Sequence, residues 1–161
     1  MNGNFVQNIT SAIQNKQVFE TSIEPKLIHQ NWTTIVNMID SHPKEYIKVE
    51  SHKNRTELQK LHLRESVKPI VKQLISLLED ICPDKIITNI AFIGFGKHRS
   101  FPLHRDKMDV LLLQVKGRIK LTVGEINKVM IPGDVVYIPR GTDHKITPLQ
   151  SRVTYSFGIE G

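Results

Sequence analysis

The chain has 161 residues, 39% of them apolar and 24% charged, with a formal net charge of +6 at neutral pH. That balance is expected of a folded soluble protein with one sizeable core, and it excludes low-complexity and fibrous classes. Apolar runs such as Val110–Leu113 are strand-sized, so no membrane span is expected. Cys82 is the single cysteine, which excludes an internal disulfide and points to packing rather than chemistry at that position.

At the N-terminus, Met1-Asn2-Gly3-Asn4-Phe5 has neither a basic nor an apolar leader segment, and a cytoplasmic location is expected. Trp32, Ile35, Val36 and Ile39 recur at i, i+3, i+4 and i+7, the signature of one helix face. Tyr46–Val49 reads as a short strand. The surrounding stretch from Lys44 to Arg64 interleaves Glu45, Glu50 and Glu57 and holds one aromatic, Tyr46. It reads as a solvated face, so nucleic acid is not indicated as a partner. A second helix carries Val67, Ile70, Val71, Leu74, Leu77, Leu78 and Ile81 on one stripe. Pro69 is tolerated in a first helical turn, which sets the start near Ser66, and Cys82-Pro83 marks the end.

Near residue 85 the pattern changes to strands: 86–95, 110–115, 118–123, 129–131, 135–138 and 152–159, rich in β-branched residues and separated by Gly, Pro, Asn and Asp. Short, evenly spaced strands predict a sandwich or barrel with the amphipathic helices against its outside. The expectation is a single domain, 1–161, with a helical part (1–85) and a β core (86–161).

Within that core, His104 and Asp106 are separated by one residue, and His144 follows 38 residues after Asp106. Alternating strand geometry puts His104 and Asp106 on one face. Two imidazoles and a carboxylate can hold a divalent metal on one side, leaving three octahedral positions open for other ligands, as in non-haem Fe(II) sites. Zinc or nickel can occupy such a site in purified protein, because affinity follows the Irving–Williams order. His29, His42, His52 and His62 lie in polar stretches and read as solvated, whereas Lys97, His98 and Arg99 would border the site.

Gly133, Pro139, Gly141 and His144 fit the second cupin motif, G-x5-P-x-G-x2-H, and the first runs from Gly96 through His104 and Asp106 to Gly117. Residues 86–161 resemble the cupin-like JmjC oxygenases, in particular the small ribosomal-oxygenase branch. The likeness rests on Pro102–Asp106, Asp109–Arg118, Pro132–Gly141 and Tyr155–Gly158. It implies a mainly β double-stranded β-helix, the cupin jelly roll, with the N-terminal α-helices packed on its outer face. It also implies an Fe(II)- and 2-oxoglutarate-dependent oxygenase with His104, Asp106 and His144 as iron ligands. The substrate would be a peptide side chain or a small metabolite, and a homodimer is left open.

One departure is evident. The family's Lys or Arg for the distal carboxylate of 2-oxoglutarate falls at Ile119, fifteen residues after His104. A two-residue hairpin at Lys116-Gly117 would pair Gln114 with Ile119 and turn both inward, leaving Arg118 and Lys120 outside. Arg152, with Thr154 two residues on, is the alternative anchor and resembles the Arg-x-Ser/Thr of prolyl-hydroxylase-type oxygenases. The competing reading is a metal-binding cupin that does not use 2-oxoglutarate, favoured by Ile119.

Overall fold

Strands that are apolar on both faces need a cover on each side, and the computed structural model supplies two. It describes residues 1–41, 68–96 and 101–161, and the backbone alone of 47–50 and 58–62. One sheet has seven strands: β1 (Phe19–Ser22), β2 (Ile47–Glu50), β3 (Leu58–His62), β4 (Ile86–Gly94), β5 (Asp109–Lys116), β8 (Asp134–Ile138) and β10 (Arg152–Glu160). Their spatial order is β1-β8-β5-β10-β4-β3-β2. The smaller sheet, in the order β7-β6-β9, is built from β6 (Ile119–Val123), β7 (Ile126–Met130) and β9 (His144–Pro148). All pairings are antiparallel.

Helices α1 (Gly3–Asn15), α2 (Trp32–Ser41) and α3 (Pro69–Ile81) lie on the outer face of the large sheet. Leu74 and Leu78 of α3 and Ile9 of α1 pack there against Leu111, Leu113, Val153, Tyr155 and Phe157. On the opposite face of β5, Val110 and Leu112 meet Ile119, Leu121, Val123 and Met130 of the small sheet. The two cores follow from strand alternation, with successive β5 residues serving opposite covers. Cys82 is packed at the edge of the helix-side core, and burial pushes its thiol pKa up. No helix among the described residues is long and apolar enough to cross a membrane.

Two expectations need correction. Helix α3 begins at Pro69 with Lys68 as its cap, not near Ser66. Lys68 is extended (ψ 147), as expected for a residue preceding proline, where the helical region is disfavoured. Residues 66 and 67 lie outside the described residues, as does Tyr46 of the expected 46–49 strand; Ile47–Glu50 is a strand. The second concerns Lys116-Gly117, which is not a hairpin: β5 pairs with β8 and β10, whereas β6 pairs with β7 and β9. The chain crosses here from one sheet to the other. Ile119 nevertheless faces inward, fully buried between the sheets.

The crossing depends on Gly117. Its φ is +70°, and a Cβ there would lie 2.0 Å from the Ser151 carbonyl oxygen. A Gly117→Ala variant should therefore lose at least about 2 kcal/mol, from left-handed backbone strain plus a backbone clash that no side-chain rotation relieves. Chemical denaturation of the purified variant measures this, and an unchanged midpoint would refute the close approach.

Candidate metal centre

The segment before β5 carries His104 and Asp106, and the turn Pro139–Asp143 delivers His144 to the first position of β9. A single antiparallel bridge joins the two: His104 N donates to His144 O at 3.0 Å and His144 N to His104 O at 2.9 Å. The His104 segment thereby extends the small sheet by one residue pair and fixes the two imidazoles side by side, with ring centroids 4.3 Å apart. Gly141 N donates to Asp106 O at 2.9 Å, tying the turn to the carboxylate's own backbone. The three candidate ligand atoms all lie within 4.8 Å of one another.

Both imidazoles are oriented by backbone carbonyls. His104 Nδ1 is 2.8 Å from Pro102 O and His144 Nδ1 is 2.9 Å from Thr142 O. A carbonyl can only accept, so Nδ1 carries the proton in each ring and Nε2 is turned to the centre. There His144 Nε2 and His104 Nε2 lie 3.2 and 3.6 Å from the two oxygens of Asp106. Neutral Nε2 donors around a carboxylate are the donor set that a divalent first-row metal accepts. A further constraint comes from outside: Arg105 clasps Asp143 through both carboxylate oxygens, at 2.6 and 2.9 Å. This exposed pair sits beside all three candidate ligands and links the two loops that carry them.

The hydrogen bond from His144 holds Asp106 below the usual carboxylate range, against the opposing effect of burial. Burial works against a charge on His144, but Asp106, the Thr142 carbonyl and Asp143 outweigh it and raise the imidazole pKa. Without metal, the protonated His144–Asp106 pair stabilises the fold fully below the ordinary imidazole value near 6.5 and loses that contribution as pH climbs through the raised value. A cation must displace that proton. Zinc or cobalt affinity should thus rise with pH through the raised imidazole value, above the ordinary one, and then level off, with proton release on binding. Titration calorimetry in buffers of different ionisation enthalpy reads both, and pH-independent affinity without proton release would contradict the assignment.

Between the sheets a cavity of about 240 Å³ is lined by these three residues and, farther along the large sheet, by Phe92, Ser156 and Arg152. It lies below the roughly 300–1,000 Å³ of pockets for drug-sized ligands and suits a small molecule. Arg152 is 1% exposed, with Nη1 3.0 Å from Thr154 Oγ1 and Cζ 5.9 Å from the Phe92 ring centre. Burial pulls its pKa down to about 10. Thr154 and Gln114 are fully buried beside it. Phe92 and Phe101 form an edge-to-face pair with centroids 6.0 Å apart, and Phe101 also contacts the His104 ring, so aromatic rings screen the wall between His104 and Arg152.

Arg152 and Thr154 thus lie together on the inner face of β10, while Ile119 is buried in the core between the sheets and supplies no cation. Lys97, His98 and Arg99, expected at the border of the site, lie outside the described residues, as do His42 and His52. Gln114, Phe92, Phe101 and the Arg105–Asp143 pair belong to the site without having been singled out by motif. For Gln114 the signal was an amide inside the apolar run Val110–Val115, where a buried polar group requires partners.

A JmjC domain family matches residues 122–161. The folded chain superimposes on the ribosomal oxygenase YcfD from Escherichia coli, a structure in complex with cobalt and 2-oxoglutarate, with a TM-score of 0.69 at 16% identity. That match covers 96% of this chain and 52% of the other, so the chain spans about half the length of that oxygenase. The chain has the cupin and JmjC fold. A Pseudomonas putida prolyl-4-hydroxylase matches with a TM-score of 0.63 at 8% identity, covering 96% of this chain and 98% of that one. An RmlC-like cupin from Shewanella frigidimarina matches with a TM-score of 0.51 at 13% identity, covering 73% of this chain and 86% of that one. At these identities the cupin and JmjC likeness is one of fold. No curated protein matches the sequence significantly.

Proposed function

We propose that this protein is an Fe(II)- and 2-oxoglutarate-dependent oxygenase that hydroxylates a peptide side chain or a small metabolite in the cytoplasm. The observation that carries the reading is one cavity lined both by the His104–Asp106–His144 cluster and by the buried cation Arg152. In this reading His104, Asp106 and His144 hold the metal, with orientation supplied by Pro102 O and Thr142 O. When bound, iron supplies the oxygen-activating chemistry that is coupled to conversion of 2-oxoglutarate to succinate and carbon dioxide.

The chain's own residues bind, orient and keep the site dry. Arg152 offers a planar fork to the distal carboxylate of the co-substrate, and Thr154 orients that fork. Val110, Leu112 and Ile146 exclude water from the route between the carboxylate end and the metal end, which strengthens both electrostatic contacts.

Two results test the reading. Iron-loaded protein in air should form succinate from 2-oxoglutarate, at least slowly and without added substrate, and 2-oxoglutarate should raise the melting temperature of the cobalt-loaded form. Absence of both would leave the second reading, a metal-holding cupin without this co-substrate, which Ile119 at the family's cation position favours.

A further inference from the structure

The buried hydrogen bonds around Arg152 run in one direction only. Gln114 Nε2 lies 2.8 Å from Lys116 O and 3.1 Å from Gly117 O. Two backbone carbonyls can only accept, so the amide nitrogen must face them and Oε1 must face the other way. Thr154 Oγ1 lies 2.7 Å from that Oε1. An amide oxygen carries no proton, so the Thr154 hydroxyl donates its single hydrogen to Gln114. Its oxygen is left as an acceptor, and the Arg152 guanidinium, which can only donate, fills that role at 3.0 Å.

Backbone geometry makes the alignment possible. The β5–β10 register shifts between Val153 and Thr154: Val153 lies opposite Lys116, but Thr154 opposite Gln114. Thr154 meets Gln114 in the same unshifted register as Ser156 with Leu112; the extra residue, Val115, lies just beyond that pair and joins Leu111 and Leu113 in the helix-side core. The two carbonyls that orient Gln114 belong to the crossing at Lys116-Gly117, so the chain reversal between the sheets and the placement of Arg152 are one construction.

We infer that Gln114 is a positioning residue for the co-substrate anchor. By taking the Thr154 proton it fixes Thr154 as an acceptor for Arg152, so that the guanidinium is held in one orientation at the cavity wall and binds the distal carboxylate without donation from Thr154. This inference rests on the oxygenase reading and refines it: in this chain the hydroxyl aims the arginine and does not itself contact the ligand.

The test compares 2-oxoglutarate with oxalate on cobalt-loaded protein by titration calorimetry. Oxalate shares the metal-chelating end and has no distal carboxylate. Gln114→Met, of similar length and with no amide, should weaken 2-oxoglutarate at least about tenfold while leaving oxalate and cobalt affinities within about twofold, since one to two aligned bonds to a charged group are lost. Thr154→Val, a second route to the same break should Gln114→Met fail to fold, should match it. The double variant should be no worse than either single, because both interrupt one chain of bonds. Thr154→Ser, which keeps the hydroxyl, should bind like wild type. Variants that bind 2-oxoglutarate as tightly as wild type, or that lose oxalate and cobalt in parallel, overturn the role of Gln114 and leave the oxygenase reading intact. Wild-type protein that binds oxalate and not 2-oxoglutarate overturns both.

Discussion

Arg152→Met should separate stability from ligand binding. The cation it removes is buried and its pKa is pulled down to about 10, so at neutral pH its charge carries a desolvation cost. The sign follows from the base: below about pH 10 the folded state must keep a desolvated cation, and that cost disappears only as the group deprotonates. Methionine fills similar space without charge, which removes that cost together with the bond to Thr154 and the other contacts of Arg152, so the variant without ligand should still fold and melt cooperatively. The same variant should lose 2-oxoglutarate binding at least about tenfold for each charge-assisted bond removed, and succinate formation with it. Metal content should not change, because the candidate ligands sit on β9 and the segment before β5. A thermal melt, a metal assay and a succinate assay on one preparation read all three, and a folded variant that still forms succinate would refute the assignment.

Leu74→Asp should collapse the fold. Leu74 is fully buried at the centre of the α3 stripe, in the core shared by the three helices and the outer face of the large sheet. An unpaired carboxylate there loses the leucine's burial and adds desolvation, a penalty of several kcal/mol against the ~5–15 kcal/mol that holds a domain of this size together. The expected result is insoluble protein or a melting temperature lower by ten degrees or more. A melting temperature like that of wild type would mean that the stripe is exposed.

The strand content and the inner and outer faces of β10 were legible because period-2 alternation is a local property. Val153, Tyr155 and Phe157 read as one face, and Arg152, Thr154 and Ser156 as the other, before any pairing was known. The meeting of His104, Asp106 and His144 was legible for another reason: two spaced motifs restrict the loops that must converge. Strand pairing was not legible. Lys116-Gly117 has the composition of a hairpin turn, and only the long-range contact with Ser151 makes it a crossing between sheets. Ile119 faced inward as expected, but it is set there by β7 and β9 rather than by Gln114. Helix α1, strand β1 and strand β3 are among the elements additional to those expected. Helix α1 does carry a regular stripe, Phe5, Ile9, Ala12 and Ile13, capped by Asn2. Strand β1, Phe19–Ser22, is short and half polar and is defined by pairing with β8. The Arg105–Asp143 pair was hidden for the same reason, since 38 residues separate its members and the sequence offers no spacing rule for them.

The most direct test of the account is a crystal structure of cobalt-loaded protein soaked with 2-oxoglutarate. The account predicts one cation bound by Nε2 of His104, Nε2 of His144 and a carboxylate oxygen of Asp106, at roughly 2.0–2.2 Å. It predicts the 2-oxo acid end of the ligand on that cation and the distal carboxylate on the Arg152 guanidinium. A cation elsewhere, or a ligand whose distal carboxylate turns away from Arg152 toward the cavity mouth, would contradict it.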